Sequence, residues 1–543
     1  MGGVERTGRG TGARGGRRGS LPGRSGLLAA ERQRIRIPVH GSPRVGIGYP
    51  NGYEVAHSSL AFQWVAELAG RVPGVGVERF VAVGPAAGRT LETGTPLGNL
   101  DVLAWSCSFE LDAPHILRAL EAAGIAPRWR DRTGRDPLVV LGGAVATIDP
   151  LPLAPAVDVF CLGAAEILLA PLLELHREAA DREELLDRLA ELDGYLVPSR
   201  HLDDAGRPRR RLRKLEKNRS LMEDPALVPA SWVITPHTEY SGRGLVEMSR
   251  GCPEKCRYCW ISHNTGRLLV YPTEAILARV EELAGVTDRV GFVATAVGDH
   301  PDLALILERS RALGLHVALS SLRIPAMVPE VLEPLAASGA RSVTIAPETG
   351  SDALRRALNK HVTNEQILAA AETAQRAGIP DLKMYFIVGL PGETDDDLRA
   401  IASLCRRVAS IQVEAGRSRG RAGELHVGVN LLVPKPYTPY HAVPMLDQRE
   451  ARRRLRLLEA ELRSVPNLRL DRPSWRLTLW QGYLSRAGTE AFEALLAVSR
   501  GEPLAAVLRR WRHTIEPVVF RPGEAGAPWH FVSSAPRRGH PGS

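Results

Sequence analysis

The chain of 543 residues is short of aromatics, cysteine and lysine. Aromatic side chains make up 5% of it, too few for the stacking platforms that grip single-stranded nucleic acid. Six cysteines over this length cannot staple a disulfide scaffold. No apolar run approaches the ~18 residues of a membrane-spanning helix. The apolar stretch LLAA at 27–30 is too short for a signal peptide. No membrane association and a cytoplasmic location are therefore expected. Only six lysines stand against 64 arginines. A polyanion-binding surface has no reason to exclude lysine, so this skew reads as a codon bias.

What is present is a globular composition, 44% apolar and 24% charged, enough to build real cores. The formal charge is +9, but its position weakens a nucleic-acid reading. Residues 1–43 hold nine Arg against Glu5 and Glu31, a net of +7. They are Gly- and Arg-rich and read as a disordered tail.

Residues 44–185 alternate strand and helix. Apolar runs at 44–50, 77–84, 101–109, 137–148 and 157–163 read as buried parallel strands, which predicts a Rossmann-like doubly wound sheet. Its ligand loops would be 50–57, 108–113, 142–149 and 163–166. Residues 186–235 read as a linker. Their basic run RPRRRLRKLEKNR (207–219) suits either an RNA contact or a solvated connection, and the second is favoured. A second alternating run covers 236–440, with strands at 244–250, 288–296, 316–322, 341–348, 382–390 and 425–434. Six strand–helix units predict a partial (β/α)6 barrel of the TIM type, with function on the loops after each strand. Residues 441–543 read as a small, mainly helical accessory region.

The decisive stretch is EMSRGCPEKCRYCWISH. It sets Cys252, Cys256 and Cys259 in a C-x3-C-x2-C array directly after the first barrel strand. Three thiolates on one tight loop suit three irons of a [4Fe–4S] cluster and leave one iron open. The competing reading is a zinc site completed by His263, although no second cysteine pair exists for it. Cys107, Cys161 and Cys405 fall on separate elements and read as buried core thiols.

This array, with Tyr258 between the last two cysteines, resembles the radical SAM fingerprint C-x3-C-x-aromatic-C. The resemblance implies a cluster that reductively cleaves S-adenosylmethionine to a 5′-deoxyadenosyl radical, which abstracts hydrogen from a substrate. It also implies an external electron donor such as flavodoxin or ferredoxin. Tyr258 and Trp260 would flank the adenine. In AVGDHPD, Gly298 and Asp299 stand where the family has a Gly-Gly-Glu-like element for the amino group, with Asp in place of Glu. Ser320 would reach the methionine moiety. In APETGSDALRRALNK, Glu348 and Ser351 would approach the ribose or carboxylate; Ser351 also reads as a helix cap. Gly389, in FIVGLPGET, would let the backbone approach adenine. Lys383 and Tyr385 alternate on that strand, and a buried Lys383 needs S-adenosylmethionine or a carboxylate as partner. VPKPYTPY resembles a barrel-closing segment of the family.

The stretches RVGIGYPNGYEVAHSSLAFQ, FELD, GGAVATIDPLPLAP and LGAAE resemble the cobalamin-binding-like domain of a subgroup of radical SAM proteins. The D-x-H-x-x-G motif that ligates cobalt is absent, so a cobalamin site and a Rossmann domain without cobalt both stay open. The leading expectation is a radical SAM enzyme acting on a small-molecule or peptide substrate, by cobalamin-dependent methylation if cobalt is bound. The alternatives are a methylthiotransferase-like modification of RNA or protein, and a non-catalytic iron–sulfur or zinc protein. The first alternative needs three more N-terminal cysteines. A nucleic-acid partner is not expected.

Overall fold

The computed structural model describes residues 21–522 and 527–533. A six-stranded sheet and a barrel built from two four-stranded sheets organise the chain. The first has six strands: β1 (Arg44–Gly52), β2 (Gly76–Val83), β3 (Val102–Ser106), β4 (Leu138–Gly142), β5 (Val159–Cys161) and β6 (Tyr195–Leu196). Their order is β2-β1-β3-β4-β5-β6, all parallel except the antiparallel β6. Continuous apolar runs form these strands because helices bury both faces. The expected strand at 137–148 is shorter. It stops at Gly142, and Gly143 (φ 96°) turns the chain into the helix Ala144–Ile148. A Cβ at Gly143 would lie 2.5 Å from the Cys107 carbonyl oxygen, so only glycine fits this turn.

The barrel has β7 (Gly244–Arg250), β8 (Leu269–Val270), β9 (Arg289–Ala294), β10 (His316–Leu319), β11 (Ser342–Glu348), β12 (Asp381–Val388), β13 (Leu425–Leu431) and β14 (Leu468–Asp471). They form two four-stranded sheets, β8-β7-β9-β10 and β11-β12-β13-β14. The seam between them is bridged by the Leu322 N–H, which donates to the Thr344 carbonyl at 3.0 Å. All six expected barrel strands are present. A seventh parallel strand, β14, comes from the region expected to be accessory and pairs with β13. Along β12, Leu382, Met384, Phe386 and Val388 are buried with the outer helices, while Lys383, Tyr385 and Ile387 alternate to the other face.

The rest of the C-terminal region docks on the first sheet. Trp480, Tyr483, Phe492 and Leu495 share one core with Leu103, Trp105, Ile116 and Leu117. The opposite face of that sheet is covered by the helices Leu60–Gly70 and Ala165–Glu178. Helix Gln448–Leu462 instead joins the barrel core through Ala451, Leu458 and Leu462.

The expected tail is corrected by the structure. Residues 1–20 lie outside the described residues, but 21–43 are packed. Leu27 is fully buried, and Arg32–Gln33 pair with Val233–Ile234. The reason is a charge network rather than apolar periodicity. Glu31 pairs with the buried Arg79 at 2.7 Å and accepts from Tyr53 at 2.6 Å, and Arg34 pairs with Glu67 at 2.6 Å. Removing one partner leaves the other charge buried and alone. Glu31→Ala is therefore expected to lower unfolding free energy by about 3 kcal/mol or more, read from the shift of the denaturant midpoint.

Residues 186–235 also differ from a solvated linker. Residues 195–196 form β6, and two cations of the basic run turn inward: Lys214 and Lys217 are each 6% exposed. Lys217 Nζ donates to the Tyr271 hydroxyl at 3.0 Å and to the Leu227 carbonyl at 2.8 Å.

Candidate active site at the barrel mouth

The cysteine loop leaves β7 through Gly251 (φ 82°), where a Cβ would lie 2.5 Å from the Arg267 carbonyl oxygen. It is pinned on several sides. The Arg257 N–H donates to the Leu358 carbonyl at 3.0 Å, Asn359 Nδ2 to the Lys255 carbonyl at 2.9 Å, and Lys255 Nζ to the Ser262 carbonyl at 2.6 Å. The Cys259 N–H closes a turn on the Cys256 carbonyl at 3.1 Å. Cys256 is buried, and Cys252 and Cys259 are partly exposed. Burial pushes the Cys256 thiol up to about 11 and raises Cys252 as well; the neighbouring Cys259 adds to both. A metal that binds here displaces those protons.

The donor set fits a multi-iron cluster better than a single ion. Three thiols on one pinned loop match the cluster's requirement. His263 Nε2 faces the Cys256 carbonyl at 3.1 Å, so its ring serves the loop backbone.

Around this loop the structure gathers Tyr258, Trp260, Asp299 and Glu348. The Tyr258 hydroxyl donates to Glu348 Oε1 at 2.7 Å, and Lys360 Nζ donates to the same oxygen at 2.7 Å. Glu348 closes β11 with φ 67°, a left-handed backbone rare outside glycine. A strained residue held by two partners at a strand's end is the usual mark of a positioned functional group. Trp260 starts the helix Trp260–Asn264, and its indole nitrogen is buried without a hydrogen-bond partner among the described residues. Asp299 is held by Arg323 Nη1 at 2.5 Å, and Arg323 reaches on to Glu254 of the cysteine loop. Its carboxylate thus fixes the loop. Gly298 is required by packing, since a Cβ there would lie 2.3 Å from the Ala326 Cβ.

The remaining residues are more dispersed. Ser320 Oγ donates to the Ala294 carbonyl at 3.3 Å. Ser351 caps the helix Asp352–Ala357 by accepting from the Leu354 N–H at 3.2 Å. Gly389 has φ 94°, and its N–H donates to Glu393 at 2.7 Å. Lys383 sits near the amino end of β12, away from the cysteine loop, within the fields of Asp381 and Asp471.

Sequence reasoning missed Arg323, Lys360 and two links between the sheets. Glu110, after β3, pairs with Lys435, after β13. Glu166, after β5, pairs with Arg250, at the end of β7, at 2.7 Å. The carboxyl ends of the first sheet and of the barrel strands therefore face each other. Val55, Val83 and Phe109 stand 37–42% exposed at the carboxyl ends of β1, β2 and β3, and Tyr385 is 38% exposed on the barrel side. A cavity of about 250 Å³ lies beside the cysteine loop, lined by Lys217, Glu247, Ser249, Arg250, Trp260 and Thr295.

Residues 246–405 match the radical SAM superfamily, and residues 73–198 match the N-terminal region of radical SAM proteins. The chain belongs to the radical SAM superfamily. It is an enzyme of a family that uses a [4Fe–4S] cluster and S-adenosylmethionine. An uncharacterized protein of Methanocaldococcus jannaschii is 24% identical over 466 residues, covering 84% of this chain and 91% of its own. A tRNA-2-methylthio-N(6)-dimethylallyladenosine synthase of Chloroflexus aurantiacus is 27% identical over 270 residues, 44% of this chain and 52% of its own. Among solved structures, the radical S-adenosylmethionine methyltransferase TsrM from Kitasatospora setae, with cobalamin and a [4Fe–4S] cluster bound, superposes with a TM-score of 0.54. It is 15% identical and covers 87% of this chain and 99% of its own, a likeness of fold. Among the described residues no helix is long and apolar enough to cross a membrane.

Proposed function

We propose that this radical SAM enzyme is cobalamin-dependent and methylates an unactivated carbon of a small-molecule or peptide substrate. The observation that carries this reading is the opposition of the two carboxyl-end faces, tied by the Glu110–Lys435 and Glu166–Arg250 pairs. In open α/β sheets ligands bind at this end of the strands, and in barrels the chemistry sits there too. A corrin on the first sheet would thus lie against the barrel mouth. The exposed Val55, Val83 and Phe109 offer it an apolar platform. The whole-chain likeness to TsrM supports the same reading.

Cys252, Cys256 and Cys259 would hold the cluster, which with S-adenosylmethionine supplies the 5′-deoxyadenosyl radical when reduced by an external donor. Glu348 would accept a hydrogen bond from the cofactor through Oε2 while Tyr258 and Lys360 hold Oε1. Arg323 keeps the cysteine loop aligned through Asp299 and Glu254. The apolar side chains between the faces exclude water from a reactive intermediate. Glu348→Gln is expected to weaken S-adenosylmethionine binding about tenfold, the loss of one charge-assisted hydrogen bond. Iron content should stay unchanged; an unaltered Kd by titration counts against this role.

The methylthiotransferase-like reading lacks a site for a second cluster. The N-terminal domain carries two thiols, Cys107 and Cys161, where a second cluster needs three ligands. The deciding experiment reconstitutes the full chain anaerobically with iron, sulfide and hydroxocobalamin, then removes free cofactor by gel filtration. A retained corrin spectrum is expected, together with transfer of a labelled methyl group from S-adenosylmethionine to the corrin. Protein that keeps about four irons but no corrin would make the enzyme a cobalamin-free one.

A further inference from the structure

Between residues 44 and 196 there are three histidines: His57, His115 and His176. His57 lies in the short helix Tyr53–Ser58 after β1, where a cobalt ligand would be sought, but both its nitrogens are engaged. Nδ1 lies 3.0 Å from the Tyr53 carbonyl and Nε2 lies 2.6 Å from Arg79 Nη1, with the ring fully inside. His176 stands in the last turn of the helix Ala165–Glu178, in the field of Asp101, the residue before β3. That is the amino end of the sheet, opposite the site.

His115 differs from both. It sits in the first turn of the helix Ala113–Ala122, directly after β3. Its Nδ1 lies 2.8 Å from the Pro50 carbonyl, at the carboxyl end of β1. A carbonyl only accepts, so Nδ1 carries the proton and Nε2 keeps its lone pair. Among the described residues Nε2 has no hydrogen-bond partner, and the residue is partly exposed. Beside it, Asn51 Nδ2 donates to Asp112 Oδ1 at 3.0 Å, a second link from the end of β1 to the end of β3. In the order β2-β1-β3-β4 the sheet reverses its direction of growth between β1 and β3. That crevice is where open sheets of this order take their ligands.

We infer that His115 Nε2 is the axial nitrogen ligand to the cobalt of a corrin bound on the first sheet. The inference rests on the cobalamin-dependent reading above. An Nδ1–H bonded to a backbone carbonyl is the arrangement that orients a metal-binding imidazole and fixes its tautomer. The ligand thus comes from the helix that follows β3, while the carboxyl end of β1 supplies the orienting carbonyl.

The test is electron paramagnetic resonance of the full chain loaded with cob(II)inamide, a corrin without its own tail base. Axial nitrogen splits each cobalt line into a triplet. Protein grown with 15N-histidine should convert the triplet to a doublet, without any substitution. The variant His115→Ala should retain corrin and lose the splitting. A retained corrin with no nitrogen splitting, or splitting that survives in H115A, overturns the ligand assignment and leaves cobalamin binding standing. If neither cobinamide nor cobalamin is retained after gel filtration, the cobalamin reading falls and the assignment falls with it.

Discussion

Replacing any one of Cys252, Cys256 and Cys259 with alanine is expected to take reconstituted protein from about four irons per chain to nearly none. Reductive cleavage of S-adenosylmethionine should fall to background with it. The loop that carries the three thiols is held by hydrogen bonds from Arg257, Lys255 and Asn359, none of which involves a cysteine side chain. Each single substitution should therefore leave the fold intact, with an unchanged near-ultraviolet circular dichroism spectrum. The loss is then one of ligation. Two thiolates cannot hold three corners of a cubane, and the His263 ring is turned to a backbone carbonyl and does not step in. Stoichiometric zinc in anaerobically purified wild type, with no iron, would refute the assignment.

The second large effect is one of stability. Glu166 is almost wholly buried at the junction of the two sheets. It accepts from Trp64 Nε1 at 2.8 Å and from Arg250 at 2.7 and 3.1 Å, with Lys217 Nζ 3.5 Å away. Burial alone would raise its pKa, but Arg250 and Lys217 outweigh burial and bring it from 4.5 down to about 2. That difference corresponds to about 3 kcal/mol. Glu166→Ala also leaves Arg250 beside Glu247 and Lys217 with one partner fewer, so a loss of about 3–5 kcal/mol is expected. The pH dependence follows from the depressed pKa. The carboxylate's contribution is fully present above 4.5 and is lost as pH falls toward about 2. The difference in urea midpoint between wild type and Glu166→Gln should therefore shrink as pH is lowered from about 5. A difference that stays constant over that range would place the stabilisation elsewhere.

The parts of the fold that announce themselves in the sequence are those with one-dimensional signatures. Buried parallel strands are unbroken apolar runs, so β1 to β5 of the first sheet and the six strands from β7 to β13, β8 aside, stand out, whereas the two-residue antiparallel β6 does not. The cysteine spacing is equally local. What stays hidden depends on partners far along the chain. Leu468–Asp471 is too short and too polar to read as a strand until β13 lies beside it. Residues 21–43 look like a tail because Glu31 and Arg34 are polar in isolation, and their burial is set by Arg79 and Glu67. The scarcity of lysine held an unused signal. In a chain that otherwise uses arginine, the six lysines all have defined partners. Lys217 meets Glu166, Lys360 meets Glu348 and Lys435 meets Glu110, while Lys214 and Lys255 hold carbonyls beside the cysteine loop and Lys383 lies among carboxylates. A compact ammonium fits tight sites that a planar guanidinium does not.

The C-terminal helices that share a core with the first sheet also set a schedule. Strands β1 to β4 leave the ribosome more than 300 residues before Trp480 and Phe492 are made. At ordinary elongation rates that interval is on the order of half a minute. Through that time the face of the sheet carrying Leu103 and Trp105 is covered only in part, by the helix Ala113–Ala122. The nascent chain must carry an open apolar surface past the completion of its own catalytic barrel. Chains cut short before residue 475 are therefore expected to be retained on a chaperone that binds such surfaces, because the helices that complete this layer are encoded last.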